Sequence, residues 1–270
     1  MPSRSTCRPS RCSFIPRAPI RLAVIVKLVL ESGWELPLAL EDGVGERLLS
    51  EGPLVVRASK WKEEMYFDVG VDLEGGRLTP RVARGDVAYW PPGRALCVFY
   101  GLSQPYTPVR VVGRALGCLY PLRDVEDGSV ARLEEYAEPE ALKPVCELLR
   151  AREWPSAARR DEEGAWSVAF AIERGGLRLG FDLFVEDYGL YVESDAISGY
   201  PKGLCDLWRV CQVRSLLESR YELVRVDLNE DGMLCLTACC EPGELAAVIE
   251  ELEGALSDLE EYLRAYGRTP

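Results

Sequence analysis

No histidine occurs among the 270 residues. The commonest general base and the commonest metal ligand are therefore missing, and Ser-His-Asp and Cys-His catalysis are excluded. Any chemistry must rest on carboxylates, lysine, tyrosine, cysteine or backbone groups. Such residues are densest, and most mixed with aromatic rings, from Gly85 to Gly101, GDVAYWPPGRALCVFYG. Asp86, Tyr89, Trp90, Arg94 and Tyr100 lie there, and Trp61 and Tyr66 lie upstream in KWKEEMYF. These seven residues form a candidate ligand pocket, with Glu63 and Glu64 as further candidate acids. Core packing of the same rings is the competing reading, since aromatic side chains dominate cores. No catalytic residue is assigned among them, and no cofactor or metal is expected.

The other reactive groups point to structure. Ten cysteines stand at positions 7, 12, 97, 118, 146, 205, 211, 235, 239 and 240, with no CxxC pair, so zinc and thioredoxin-like spacings are both missing. Cys97, Cys118 and Cys235 fall in apolar runs and read as small buried hydrophobes. DLNEDG (227–232) looks like part of a calcium loop but lacks the closing glutamate, and reads as a hairpin turn. The acidic runs RRDEEG, EELE and DLEEY read as solvated surface.

The net charge of −12 opposes a broad nucleic-acid-binding face. No apolar run approaches the length of a membrane span. The expectation is a cytoplasmic protein with no nucleic-acid or membrane partner. The first nineteen residues differ from the rest, with four arginines, four prolines and no acid. Residues 1–20 read as a disordered basic arm. A transit or nucleic-acid arm, or a misassigned start with the true chain beginning near Val24, are the alternatives.

The elements that must position the candidate residues follow from periodicity. From residue 21 to 138 the runs RLAVIVKLVLE, WELPLAL, LVVRASKW, EEMYFDVGV, DVAYW, ALCVFYG and VRVVGRALG read as short strands. One short helix lies in DGVGERLLSEG, with Leu48 and Leu49 facing inward. Many short strands with few helices predict an all-β barrel or sandwich. Pro91-Pro92-Gly93 predicts a rigid extended bend at a barrel corner, with positive φ at Gly93. Strand alternation sends Tyr89 and Trp90 to opposite faces. Residues 139–155 read as a helical linker, and WPSAARRDEEG as the boundary.

Residues 156–270 read as an α+β domain in the order βββαββα. WSVAFAIE, LRLGFDLFVE and YGLYVESD form a meander, and PKGLCDLWRVCQVRSLLES is a helix with Leu204, Leu207, Trp208, Cys211 and Leu216 repeating near 3.6. A hairpin over YELVRVDL and MLCLTACC follows. A terminal helix carries Leu245, Val248, Ile249, Leu252, Leu256, Leu259 and Leu263 on one face, opened by Pro242 and closed by Gly267.

The stretch GDVAYWPPGRALCVFYG resembles the signature of an archaeal and bacterial cyclophilin-like family. Gly85, Asp86, Tyr89, Trp90, Pro91, Pro92, Gly93, Ala95, Leu96, Phe99 and Gly101 match it, and EEMYF, LESG and VRVVGRALG are similar to further strands. The resemblance implies a cyclophilin-like β-barrel over roughly residues 22–138. True cyclophilins carry an F-M-x-Q-G-G-D stretch that is missing here, and Arg57, Arg94 and Arg110 sit in no matching motif. From about residue 155 the chain resembles the YbjN family and the related type III secretion chaperone-like fold, carried by LLESRYELVRVDLNEDGMLCLTACC and the acidic helix after it. That resemblance implies a protein partner or client, or a homodimer, through the second half. The leading expectation is a non-catalytic protein-binding or chaperone-like module. The alternative is a prolyl isomerase or other small-molecule enzyme using the barrel pocket.

Overall fold

The computed structural model describes residues 22–50, 52–174 and 176–266. The basic N-terminal segment, with Cys7 and Cys12, and Gly267 lie outside them.

Alternating apolar residues build the first half from short strands. Leu22–Leu30 (β1) and Glu35–Glu41 (β2) form a hairpin, followed by the single helical turn Val44–Leu48 (α1). Then come Leu54–Arg57 (β3), Ser59–Trp61 (β4), Glu64–Asp68 (β5), Arg77–Thr79 (β6), Asp86–Trp90 (β7), Ala95–Phe99 (β8), Val109–Ala115 (β9) and Val130–Glu135 (β10). Their order is β3-β10-β1-β2-β9-β7-β8-β5-β4, with β6 beside β9. The run LVVRASKW explains how this sheet comes nearly closed. Its first half, β3, pairs with β10, and its second half, β4, pairs with β5 at the other end of the order. Between them Ala58 is fully buried and exchanges backbone hydrogen bonds with Gly128 and Ser129. One kinked strand thus serves both edges.

Inward side chains fill the barrel, among them Leu28, Leu36, Leu38, Met65, Phe67, Val87, Tyr89 and Val98. Tyr89 points in and Trp90 out, as alternation requires. The Pro-Pro-Gly bend differs from expectation. Pro91–Gly93 is one 3-10 turn inside the β7–β8 hairpin, and Trp90 pairs with Ala95 across it. The residue at positive φ is Arg94, at 48°, rather than Gly93. Gly93 is needed for a different reason: a Cβ there would collide with the Trp90 ring.

The second half is mostly strands with a long C-terminal helix. After Lys143–Arg150 (α2) come Ser156–Arg160 (β11), Trp166–Arg174 (β12), Leu177–Glu186 (β13), Gly189–Ser194 (β14), Leu204–Glu218 (α3), Val224–Leu228 (β15), Leu234–Cys240 (β16) and Leu245–Tyr266 (α4). Four strands precede α3 rather than the three expected. The reason is that SAARR, read as boundary, pairs along its whole length with β12. The antiparallel order is β11-β12-β13-β14-β16-β15. Val168, Phe170, Ile172, Phe181 and Leu183 face Leu245, Val248, Ile249, Leu252, Leu256 and Leu259 of α4. Leu263, expected on that face, is exposed. The larger correction is α3, whose Leu204, Leu207, Trp208 and Cys211 all face solvent, Leu204 at 85% and Trp208 at 54% exposure. Leu217 alone on this helix is fully buried, with Val213 packed beside it, because a second stripe through those two residues meets the core.

Alternation also decides the opposite face of this sheet. Arg159, Arg178, Gly180 and Asp182 point away from α4, toward the barrel. Arg178 donates to Asp195 at 3.3 Å and to the carbonyls of Ala115 (2.7 Å) and Gly117 (3.1 Å). Asp195 also accepts from the backbone of Leu119, Tyr120 and Gly180 and pairs with Arg84 at 3.0 Å. Arg159 pairs with Asp182 at 2.6 Å, donates to the Glu35 carbonyl and lies over the Trp34 ring. The strands come this close because a Cβ on Gly180 would run into the Gly117 carbonyl.

Removing one partner of a buried, hydrogen-bonded pair leaves the other charge uncompensated. Asp195→Ala should cost ~3–5 kcal/mol in urea unfolding. Arg214→Ala, which breaks the exposed pair with Glu218, should cost under about 0.5 kcal/mol. Equal losses in the two variants would refute the assignment of Asp195 as a structural keystone.

Candidate functional site

The barrel interior is filled, and one cavity lies on the outside of its wall. In β5, Met65 and Phe67 face inward, which sends Glu64 and Tyr66 outward. Register places Tyr66 opposite Cys97 and Cys97 opposite Ala88, with Glu64 opposite both Phe99 and Trp61. Ala88, Cys97, Phe99, Val109 and Val111 form a small apolar layer on this outer face, with Tyr66 and Trp90 against it. Over it stands a cavity of about 230 Å³ lined by Trp61, Glu64, Tyr66, Trp90, Pro105, Tyr106 and Val109.

The walls are held in place by the segment between β8 and β9. Trp90 Nε1 donates to Thr107 Oγ1 at 2.8 Å, so the indole is fixed at both its ring and its nitrogen. Gln104 exchanges two hydrogen bonds with the Val82 backbone. Ser103 Oγ accepts from Glu63 N, and Glu63 accepts from Leu102 N and pairs with Arg123.

Glu64 is 7% exposed, and among the described residues it forms no ion pair. Burial pushes its carboxyl above the usual range, with the neighbouring Cys97 thiol opposing that shift. That thiol is itself pushed well up, first by burial and then by the charge of Glu64. A thiol so raised stays protonated and is not a nucleophile.

The structure brings together Trp61, Tyr66 and Trp90 of the seven sequence candidates and disperses the other four. Tyr89 lies inside the barrel and donates to the Val71 carbonyl and to Asp72, which also pairs with Arg94 at 3.3 Å. Tyr100 donates from the core to the Lys62 carbonyl. Asp86 is buried, pairs with Arg114 at 2.8 Å and accepts from Ala83 N. Among the described residues no arginine lines the cavity: Arg57 reaches the Gly128 carbonyl, and Arg110 points toward Gly75. Pro105, Tyr106 and Val109 were missed, and SQPYTPV carried a usable signal, since two prolines around an aromatic mark a fixed loop. Residues 229–232 join β15 to β16 as a turn, with Asn229 Oδ1 accepting Met233 N. Among the described residues no group of acids and cysteines fits a metal ion, and no helix is long and apolar enough to cross a membrane.

Because Glu64 is raised by burial, its neutral form is favoured in the folded state. Its stabilising contribution is fully present below the ordinary carboxylate range and is lost as pH rises through the raised value. Glu64→Gln should therefore raise Tm at pH 8 and change it little at pH 4. The opposite order would show that the carboxylate is favourably paired.

No curated protein matches this chain. Among solved structures, a hypothetical protein from Archaeoglobus fulgidus, determined in solution, is 28% identical; the match covers 42% of this chain and 95% of that one, with a TM-score of 0.36. Residues 25–134, the span from β1 into β10, match the model of the cyclophilin-like family.

Proposed function

We propose that the protein is a non-catalytic binding protein whose barrel seats a ligand in the outer aromatic cavity. The observation that carries this reading is the composition of the cavity wall. Rings and a proline supply apolar contact, while among the described residues no basic side chain lines the cavity to form a catalytic pair with the acid. The prolyl isomerase alternative finds apolar walls in this cavity but no arginine. Exchange NMR on an X-Pro peptide should show no acceleration with excess full-length protein; acceleration lost in Trp90→Ala would replace binding by catalysis. A ligand-observed NMR screen should give binders of the intact chain that Trp90→Ala loses. Binders retained by that variant would place the site elsewhere.

A second reading, a protein partner or client on the second half, is favoured by α3. The helix–hairpin–helix order of α3, β15, β16 and α4 supports the chaperone-like α+β resemblance, with the second domain taken as residues 156–270. Leu204, Leu207, Trp208 and Cys211 follow i, i+3, i+4, i+7, the spacing of a helix seam, yet all four are exposed. Leu207→Asp with Trp208→Asp should leave Tm nearly unchanged, since exposed substitutions usually fall within about 0.5 kcal/mol. A large loss would mean that the stripe serves this chain's own fold.

A further inference from the structure

We propose that the outer cavity is a site for an alkylated organic ammonium, held by the rings of Trp61, Tyr66, Trp90 and Tyr106 with Glu64 as its counter-charge. The inference rests on the reading of this cavity as the ligand site and adds the class of ligand.

Charge comes first. A carboxylate largely withdrawn from water is costly unless it is paired, and Glu64, 7% exposed, forms no ion pair among the described residues. The titratable or charged groups around it are the Cys97 thiol on β8, the Tyr66 and Tyr106 phenols, and two neighbours turned to other partners. Glu63 is paired with Arg123, and the exposed Lys62 holds its ammonium 4.2 Å from the Trp61 ring centroid, outside the cavity lining. A neutral guest leaves the ionised acid unpaired, whereas a cationic guest supplies the missing charge.

Wall chemistry narrows the class. Four aromatic side chains line the cavity, with Trp61, Tyr66 and Trp90 partly buried and Tyr106 exposed at its mouth, and a cation over an aromatic face is attracted to it. Lys62 on Trp61 shows that attraction already within this chain. The rings, Pro105 and Val109 offer no oxygen cage, which a metal cation requires. Among the described residues Glu64 is the one carboxylate lining the cavity, and beside it only the two phenol oxygens could accept from a primary ammonium with three N–H groups. Alkyl groups replace those donors with surface that suits the rings. The volume of about 230 Å³ falls below the roughly 300–1,000 Å³ of drug-sized sites, so a headgroup fits better than a large molecule.

The test compares choline, its neutral carbon isostere 3,3-dimethylbutan-1-ol, and ethanolamine. Binding to the full chain is read from the Trp90 indole N–H resonance, assigned with Trp90→Phe. Choline should bind at least about 10-fold more tightly than the isostere, and more tightly than ethanolamine. Glu64→Gln, an isosteric change, should bring choline to within about 3-fold of the isostere. Choline affinity should fall as pH drops through the raised carboxyl range in the native chain and stay flat in Glu64→Gln. Equal binding of choline and the isostere, both lost in Trp90→Ala, would overturn the ammonium assignment while leaving the cavity as the ligand site. No binding of choline would overturn the ammonium assignment, and the ligand screen above then judges the cavity alone.

Discussion

The Asp195 carboxylate is the constraint on which the arrangement of the two halves depends. It is completely shielded from water and lies just past the end of β14, yet it accepts hydrogen bonds from the backbone of Leu119 and Tyr120 on the barrel side and from Gly180 of β13. Arg178 and Arg84 supply the positive charge, one from each half. Such a site tolerates little displacement, because each group moved away leaves a buried charge or donor uncompensated. Glycine makes the contact possible. Gly180 and Gly117 meet backbone to backbone, and a side chain on Gly85 would collide with Arg178.

This clamp and the outer cavity share strands. Arg84, which pairs with Asp195, also donates to the Tyr100 carbonyl just past β8. Gly85 N donates to the Phe99 carbonyl, and Ala115 N to the Gly85 carbonyl. The ends of β7, β8 and β9 are thus tied at the interface, and the apolar layer under the cavity comes from Ala88 and Cys97 in the middles of β7 and β8 and from Val109 at the start of β9. A rigid floor of this kind leaves the wall to the segment from Pro105 to Thr107, which reaches Trp90 through one side-chain hydrogen bond.

Much of the barrel was legible because its strands alternate cleanly, and the turn motif named its family resemblance directly. β6 has only three residues, too few for a periodic signal. The site was half legible. Trp61, Tyr66 and Trp90 converge because β4, β5, β7 and β8 are neighbours with matched register. Tyr89 and Tyr100 sit on the same strands or just beyond them but one residue out of phase, which sends them into the core. Helix α3 misled for the converse reason, since a seam spacing shows that a stripe is apolar but not that anything in the chain covers it.

The sequence by itself determined the chemistry that is excluded, the strand-rich first half, the long amphipathic α4 and the opposed faces of Tyr89 and Trp90. These depend on local periodicity and residue type. Only the tertiary structure decided that LVVRASKW serves both edges of one sheet, that SAARR is a strand, and that the cavity lies outside the barrel. It also decided that Arg178 and Asp195 meet in a buried interface. Those outcomes depend on which distant strands pair and in what register, and the cost of burying charge is settled only when distant partners meet.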